Sequence, residues 1–401
     1  MSGEFQRKNQ FGKDFAEDGR KGPYEAIGFP NLMHSSFLDH YINSDLDPVF
    51  QKQVLDLFKK ESFDASQRGY NLDFWFIRDV MGFFEDKKRL VFAGGNAAYS
   101  VLSYVLGLTD NIDFRRGYRP EMLYGIKKDR RPYIPLIVPW DFEEDLLVKY
   151  LKTTYGEKNV EYDGCAYTIS LHIEEKRYPF SLSLIKDCTL YFAERLLKKE
   201  CDEKTISNSC RDIICRETEM DYTMTNTVQS SLNSVDLKEV ISDFVMLFHN
   251  VDECIINNFN GFLTSTLDGT TEGLMHAVAV IKGTNIWDGT DESAASNGIY
   301  TRDDVYDYCL KFLDDKEKAF SIMEKVRKGR KLNEKELIIL TKAGASDAFI
   351  KACNKLRYIV SEGSIMPYVQ ILLYLTDFRI RKEKLYKTVL QEVVEQTQQL
   401  L

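Results

Sequence analysis

The chain has no run of eighteen apolar residues, so a membrane-crossing helix is not expected. Its start, Met1 to Lys8, lacks the apolar stretch of a secretory signal. No Cys-x-x-Cys and no His-x-x-x-His occurs, and five histidines stand scattered at 34, 40, 172, 249 and 276. Eight cysteines in a chain without a signal read as reduced, semi-buried thiols of a cytosolic compartment. Cys201, Cys210 and Cys215 cluster, yet their spacing fits no common zinc pattern. Glycine and proline number 23 and 9 among 401 residues, which excludes collagen-like and disordered classes. A net charge of -9 argues against a protein that coats nucleic acid or an anionic membrane with its whole surface.

What is present is a globular chain, 44% hydrophobic and 29% charged, long enough for two or three domains. Residues 1–45 show no period and read as an arm. From Asp47 to Phe84 the apolar spacing is helical, with Asp73 placed as a cap. Leu90-Val91-Phe92 reads as a short strand that enters Ala93-Gly94-Gly95-Asn96-Ala97-Ala98 and a helix over Tyr99 to Leu108. Strand, small-residue turn and helix can cradle a phosphate, although two glycines alone describe any tight turn. Ile134 to Trp140 reads as a central strand, and the acids from Asp141 open a helix running through Lys152. Alternation over Tyr167–Ile173 and Tyr178–Leu184 predicts a hairpin. Helices are expected over Tyr191–Lys199 and Leu237–Phe248. From Arg302 the chain reads as helical, broken near Asp314, Gly329, Gly344 and Ser361–Ser364.

Several blocks in the last third recur in order. They are Gly283-Thr284-Asn285-Ile286-Trp287-x-Gly289, Asp303 to Tyr308, Ala319 to Leu332, Ala352 to Tyr358, and then Tyr368-Val369 and Phe378. This region resembles the fingers of bacterial C-family replicative DNA polymerases, the PolC type in particular. More faintly, Ala93 to Asp110 resembles that family's Gly-Arg-Gly-Ser-Ala-Ala-Gly-Ser block, and Tyr155-Gly156-Glu157-Lys158-Asn159-Val160 the segment after its metal-binding strand. The resemblance implies an α+β fold, a nucleotidyltransferase-like palm with a small mixed sheet followed by a mostly helical fingers-like domain. Its expected divisions are an arm and lead-in helix (1–60), palm (61–260), fingers (261–385) and a helical tail (386–401).

The departures fall on the chemistry. The family holds two metal ions on Pro-Asp-hydrophobic-Asp, where this chain has Pro135-Leu136-Ile137-Val138. An alternative register puts Ile137 and Pro139 at the aspartate positions, and none of these side chains binds Mg²⁺. Gly94, Asn96 and Tyr99 replace the family's Arg, Ser and second Gly, and Glu362 and Ser364 replace its fingers Lys and His. A third metal aspartate falls at Asp236 if anywhere. The family's zinc-binding cysteines and its exonuclease and phosphatase-like domains have no counterpart, so a partner or a repurposed role, as in a phage or mobile-element replication factor, is expected.

By resemblance, nucleotide or DNA contacts are assigned to Gly95, Asn96, Ser100, Lys325, Arg327, Lys328, Arg330, Lys331, Lys355 and Arg357. No catalytic residue, metal ligand or cofactor is expected, Mg²⁺ entering only if polymerase activity survives. Expected partners are DNA, replisome proteins or a second copy, and no membrane. Three readings compete: a pseudo-polymerase that binds DNA or replisome proteins, an active nucleotidyltransferase with carboxylates relocated to Asp141, Glu143, Glu144 and Asp145, and a purely structural module. The charge map keeps nucleic acid open. Residues 115–131 carry +5, residues 325–331 carry +5 and residues 379–384 carry +3, leaving -22 elsewhere.

Overall fold

The computed structural model describes residues 48–109, 119–126, 130–162, 166–173, 176–200, 234–247 and 271–398. Two helices lead in, α1 (Pro48–Arg68) and α2 (Asn71–Asp86). Strand β1 (Phe92–Ala93), a 3-10 turn over Gly95–Tyr99, α3 (Val101–Val105) and α4 (Pro120–Tyr124) follow. Then come β2 (Leu136–Pro139), α5 (Glu144–Tyr155), β3 (Val160–Tyr162), β4 (Ala166–Ile173) and β5 (Lys176–Asp187). The rest is helical: α6 (Cys188–Glu200), α7 (Ser234–Leu247), α8 (Thr271–Lys282), α9 (Arg302–Leu313), α10 (Lys316–Arg327), α11 (Glu334–Lys342), α12 (Asp347–Lys355) and α13 (Glu362–Gln398). The fold is α+β.

The sheet is mixed, in the order β1-β2-β5-β4-β3, with β2 and β5 parallel and the other neighbours antiparallel. Parallel pairing sets Leu136 opposite Leu184 and Pro139 opposite Asp187. The alternation seen in sequence is the β4–β5 hairpin. β2 is buried on both faces. Leu136 and Val138 join a core with Phe74, Val80, Phe84 and Leu147, while Ile137 joins Leu90, Phe92, Leu190 and the later helices. Alternate side chains of a strand point to opposite faces, so a strand between two cores must be apolar throughout. This is the physical reason for the unbroken run Leu136-Ile137-Val138-Pro139.

Local chemistry sets the breaks in the helical part. Thr301 with Asp304 and Asn333 with Glu336 form capping boxes on α9 and α11, and Asp315 and Ser346 cap α10 and α12. Asp314 ends α9 in the left-handed conformation, φ 45°. α13 bends at Lys382, where φ is -143° and ψ 50°.

Some sequence expectations shift by a few residues. Tyr70, not Asp73, stands at the N-cap of α2, because Asp73 is taken by Arg131 at 2.8 Å. The helix expected from Tyr99 begins at Val101, capped by the Ser100 side chain. Acids at 141–145 open a helix that starts at Glu144. Cys188, Cys309 and Cys353 are buried thiols, and burial pushes the first two up to about 12. The cluster at 201, 210 and 215 lies outside the described residues. No described helix is long and apolar enough to cross a membrane.

Candidate functional site

Strand β2, which the sequence places where the polymerase resemblance expects metal ligands, carries no carboxylate. One carboxylate does reach it: Asp187, at the end of β5 and beside Pro139. That carboxylate is buried and already engaged. Its Oδ1 accepts the Leu190 N–H at 2.9 Å, Lys282 Nζ lies 3.7 Å from Oδ2, and the Tyr368 phenol hydrogen-bonds to it. Lys282 also sits 3.6 Å from the Tyr368 ring centroid. Desolvation lowers the Lys282 ammonium to about 8 despite Asp187. The positive charge here comes from the chain itself.

The acids past the strand point elsewhere. Asp141 pairs with Arg89, which also holds the buried Glu194 at 2.9 Å. Glu144 pairs with Lys186 at 3.1 Å, while Glu143 and Asp145 face solvent. No three carboxylate, histidine or cysteine groups converge among the described residues. A two-Mg²⁺ centre needs several anionic oxygens on a fixed strand, so this donor set does not fit one. The side chain of Asp236, the remaining candidate, lies outside the described residues.

The small-residue turn is packed from every side. Gly95 takes φ +64°, and a Cβ there would meet the Tyr133 carbonyl at 2.6 Å. The N–H groups of Gly94 and Asn96 donate to the carbonyls of Pro135 and Tyr133, both at 2.9 Å. Asn96 Nδ2 donates to the Met122 and Leu123 carbonyls at 3.0 Å, which ties α4 to the turn. Ser100 donates its hydroxyl to Glu61 of α1, and Glu61 also accepts Val101 N–H at 2.6 Å. Burial raises Glu61 to about 7. Thus Gly95, Asn96 and Ser100 are buried and bonded within the chain.

The cationic residues fall into two sets. Lys325 is held by Glu336 at 2.6 Å and Lys355 by Glu292 at 3.0 Å. Arg327 (3.0 Å), Arg130 (3.2 Å), Lys328 (3.4 Å) and Arg302 (3.9 Å) converge on the one carboxylate of Glu324. Desolvation is outweighed there, and the cations hold Glu324 down at about 2. Four cations on one anion leave a local surplus of positive charge. Beside them Arg330, Lys331 and Arg357 are exposed, with no ion pair to any described residue. The two basic segments touch, since Ile359 N–H reaches the Arg327 carbonyl at 3.4 Å and Gly329 packs on the Arg357 backbone. Thr284 N–H in turn donates to Tyr358 at 2.8 Å. Three sequence blocks, around 283–289, 319–332 and 352–358, therefore meet at one junction.

Three cations of the third basic island are spent internally: Arg379 pairs with Glu239, and Arg381 and Lys382 with Glu200 at 2.7 and 2.9 Å. In the first, Arg119 binds Asp307 and Arg131 binds Asp73, while residues 115, 116, 127 and 128 lie outside the described residues. Glu61, Asp187 and Lys282 were not singled out by the sequence, and Asp303 and Glu324 stood inside quoted blocks without any sign of their partners. Most pair with residues far away along the chain.

An α+β chain with a buried, carboxylate-free strand and a basic helical junction is the class these features define. Part of it is similar to PolC-type DNA polymerase III. Identity is 29% over 125 residues with that protein of Caldanaerobacter subterraneus subsp. tengcongensis, covering 29% of this chain and 9% of the relative. It is 30% over 164 residues with the one of Mycoplasma genitalium, covering 39% and 11%. With that of Clostridium perfringens it is 28% over 134 residues, covering 31% and 9%. The chain thus spans 9% to 11% of the length of these relatives. No family model matches it.

Proposed function

We propose that this chain is a catalytically degenerate DNA polymerase III alpha-like protein that acts by binding the DNA backbone. The observation that carries the reading is the basic junction: exposed Arg330, Lys331 and Arg357, within segments that resemble the polymerase fingers, beside the cation-rich Glu324 cluster. Guanidinium and ammonium groups fixed on short turns suit phosphate oxygens, and such contacts fix position without reading sequence. The apolar strand and the engaged Asp187 support loss of phosphoryl transfer, because neither offers a metal the ligands that reaction uses.

Two measurements test the reading. Binding to a labelled duplex is expected to weaken steeply as salt rises, in the manner of counterion release. Template-directed primer extension with Mg²⁺ or Mn²⁺ is expected to give no product; robust incorporation would sink the degenerate half of the reading. Salt-independent or absent DNA binding would instead favour a replisome protein as the partner.

A further inference from the structure

The space between the small-residue turn and the helical part is closed by the chain itself, at Tyr99. Its hydroxyl lies 2.8 Å from both carboxylate oxygens of Asp303, which is fully buried at the start of α9. The same carboxylate accepts the Glu362 N–H at 2.9 Å, at the start of α13, and Gly363 N–H points to the Tyr99 oxygen at 3.5 Å. One residue on, the contact is backbone to backbone. A Cβ on Gly363 would lie 2.1 Å from the Gly95 carbonyl and 3.1 Å from the Ala98 Cβ. The Arg302 guanidinium sits over the Tyr99 ring at 5.6 Å. Burial and the Asp303 charge keep the phenol protonated, well above its ordinary range, so it stays a donor.

We propose that Tyr99 is an internal latch, whose hydroxyl joins the small-residue turn to the first turns of α9 and α13 without any ligand. In a two-part protein, closure ordinarily follows from a ligand that binds both sides better when they are together. Here the Tyr99–Asp303 hydrogen bonds supply that bridge from within the chain, so the joined form is the resting form and binds no free nucleotide at this turn. The inference rests on the reading of this turn as lost to catalysis, and its test does not involve DNA.

Hydrogen–deuterium exchange on the full chain reads the latch directly. In Tyr99→Ala, exchange over 94–101 and 361–366 is expected to rise about ten- to a hundredfold, the range for one lost buried bond to a charged group, with α10 unchanged. Tyr99→Phe keeps the ring and is expected to loosen the same two segments to a smaller degree. Should the alanine variant fail to fold, Tyr99→Phe and Asp303→Asn carry the test. Unchanged exchange over both segments would overturn the latch, as would wild-type protein that binds mant-dATP. Primer extension by the wild type would defeat the functional reading while leaving the exchange result to stand or fall alone.

Discussion

Asp187 and Lys282 form a pair 3.7 Å apart at the carboxyl end of β5, beside β2. Burying two charges costs several kcal/mol each, and here the Leu190 N–H and Tyr368 phenol share the carboxylate. Because Lys282 is lowered to about 8 from 10.5, the unfolded chain binds a proton between those values that the folded one has released. Stability from this group therefore rises with pH across that window, on the order of 3 kcal/mol at most. Urea titrations at pH 7.5 and 9.5 are expected to show wild type gaining on Lys282→Met. An equal pH response in both proteins would contradict the assignment.

Glu61 has the opposite sign. Its folded value, about 7, lies above the 4.5 of an ordinary glutamate, chiefly through burial. The stabilisation is fully present below pH 4.5 and is lost as pH rises through 7, again on the order of 3 kcal/mol. Glu61→Gln mimics the protonated form and keeps a partner for Ser100 and Val101. Thermal unfolding of that variant is expected to show a shallower dependence between pH 5 and 7.5 than wild type, the remainder coming from Asp73 and Asp243, which burial also raises to about 6, whereas Glu61→Ala destabilises at both ends.

The helical part was legible because its signals are local. Asp314, Gly329 and Gly344 mark the breaks of α9, α10 and α11, and each adopts positive φ. The hairpin was legible for the same reason, since period-two alternation needs no distant partner. The site was legible only in its losses. An apolar β2 announces that no carboxylate stands there, but not that Lys282 lies beside Asp187, 95 positions earlier in the chain. Likewise the charge runs were visible, while the pairing that silences 379–382 comes from Glu200 and Glu239 on other helices. Periodicity reports which face is buried; it does not report which charge is answered.

Gly329 joins the two basic segments. It takes φ +65°, and a Cβ would lie 2.2 Å from the Arg357 carbonyl. Both the left-handed backbone and the backbone contact forbid a side chain, and neither neighbour is a flexible side-chain end. Gly329→Ala is expected to cost more than about 2 kcal/mol in denaturant titration. It should also weaken DNA binding by displacing Arg357 relative to Arg330. A variant as stable as wild type would show that the two turns are not locked together.

The two cation sets make separable predictions. Arg330, Lys331 and Arg357 are exposed and have no ion pair to a described residue, so replacing all three with Gln should leave stability within about 0.5 kcal/mol per site. If each contacts one phosphate, the slope of log K against log salt should shrink by about 0.9 per site, close to 3 for the triple variant. Lys325 is the contrasting control, half-buried and 2.6 Å from Glu336. Its replacement by Gln should lower stability and leave the salt slope as it was, because its charge is already answered within the fold. A triple variant with an unchanged slope would move the DNA contact away from this junction, and a Lys325→Gln variant with a reduced slope would place that lysine on the phosphate track.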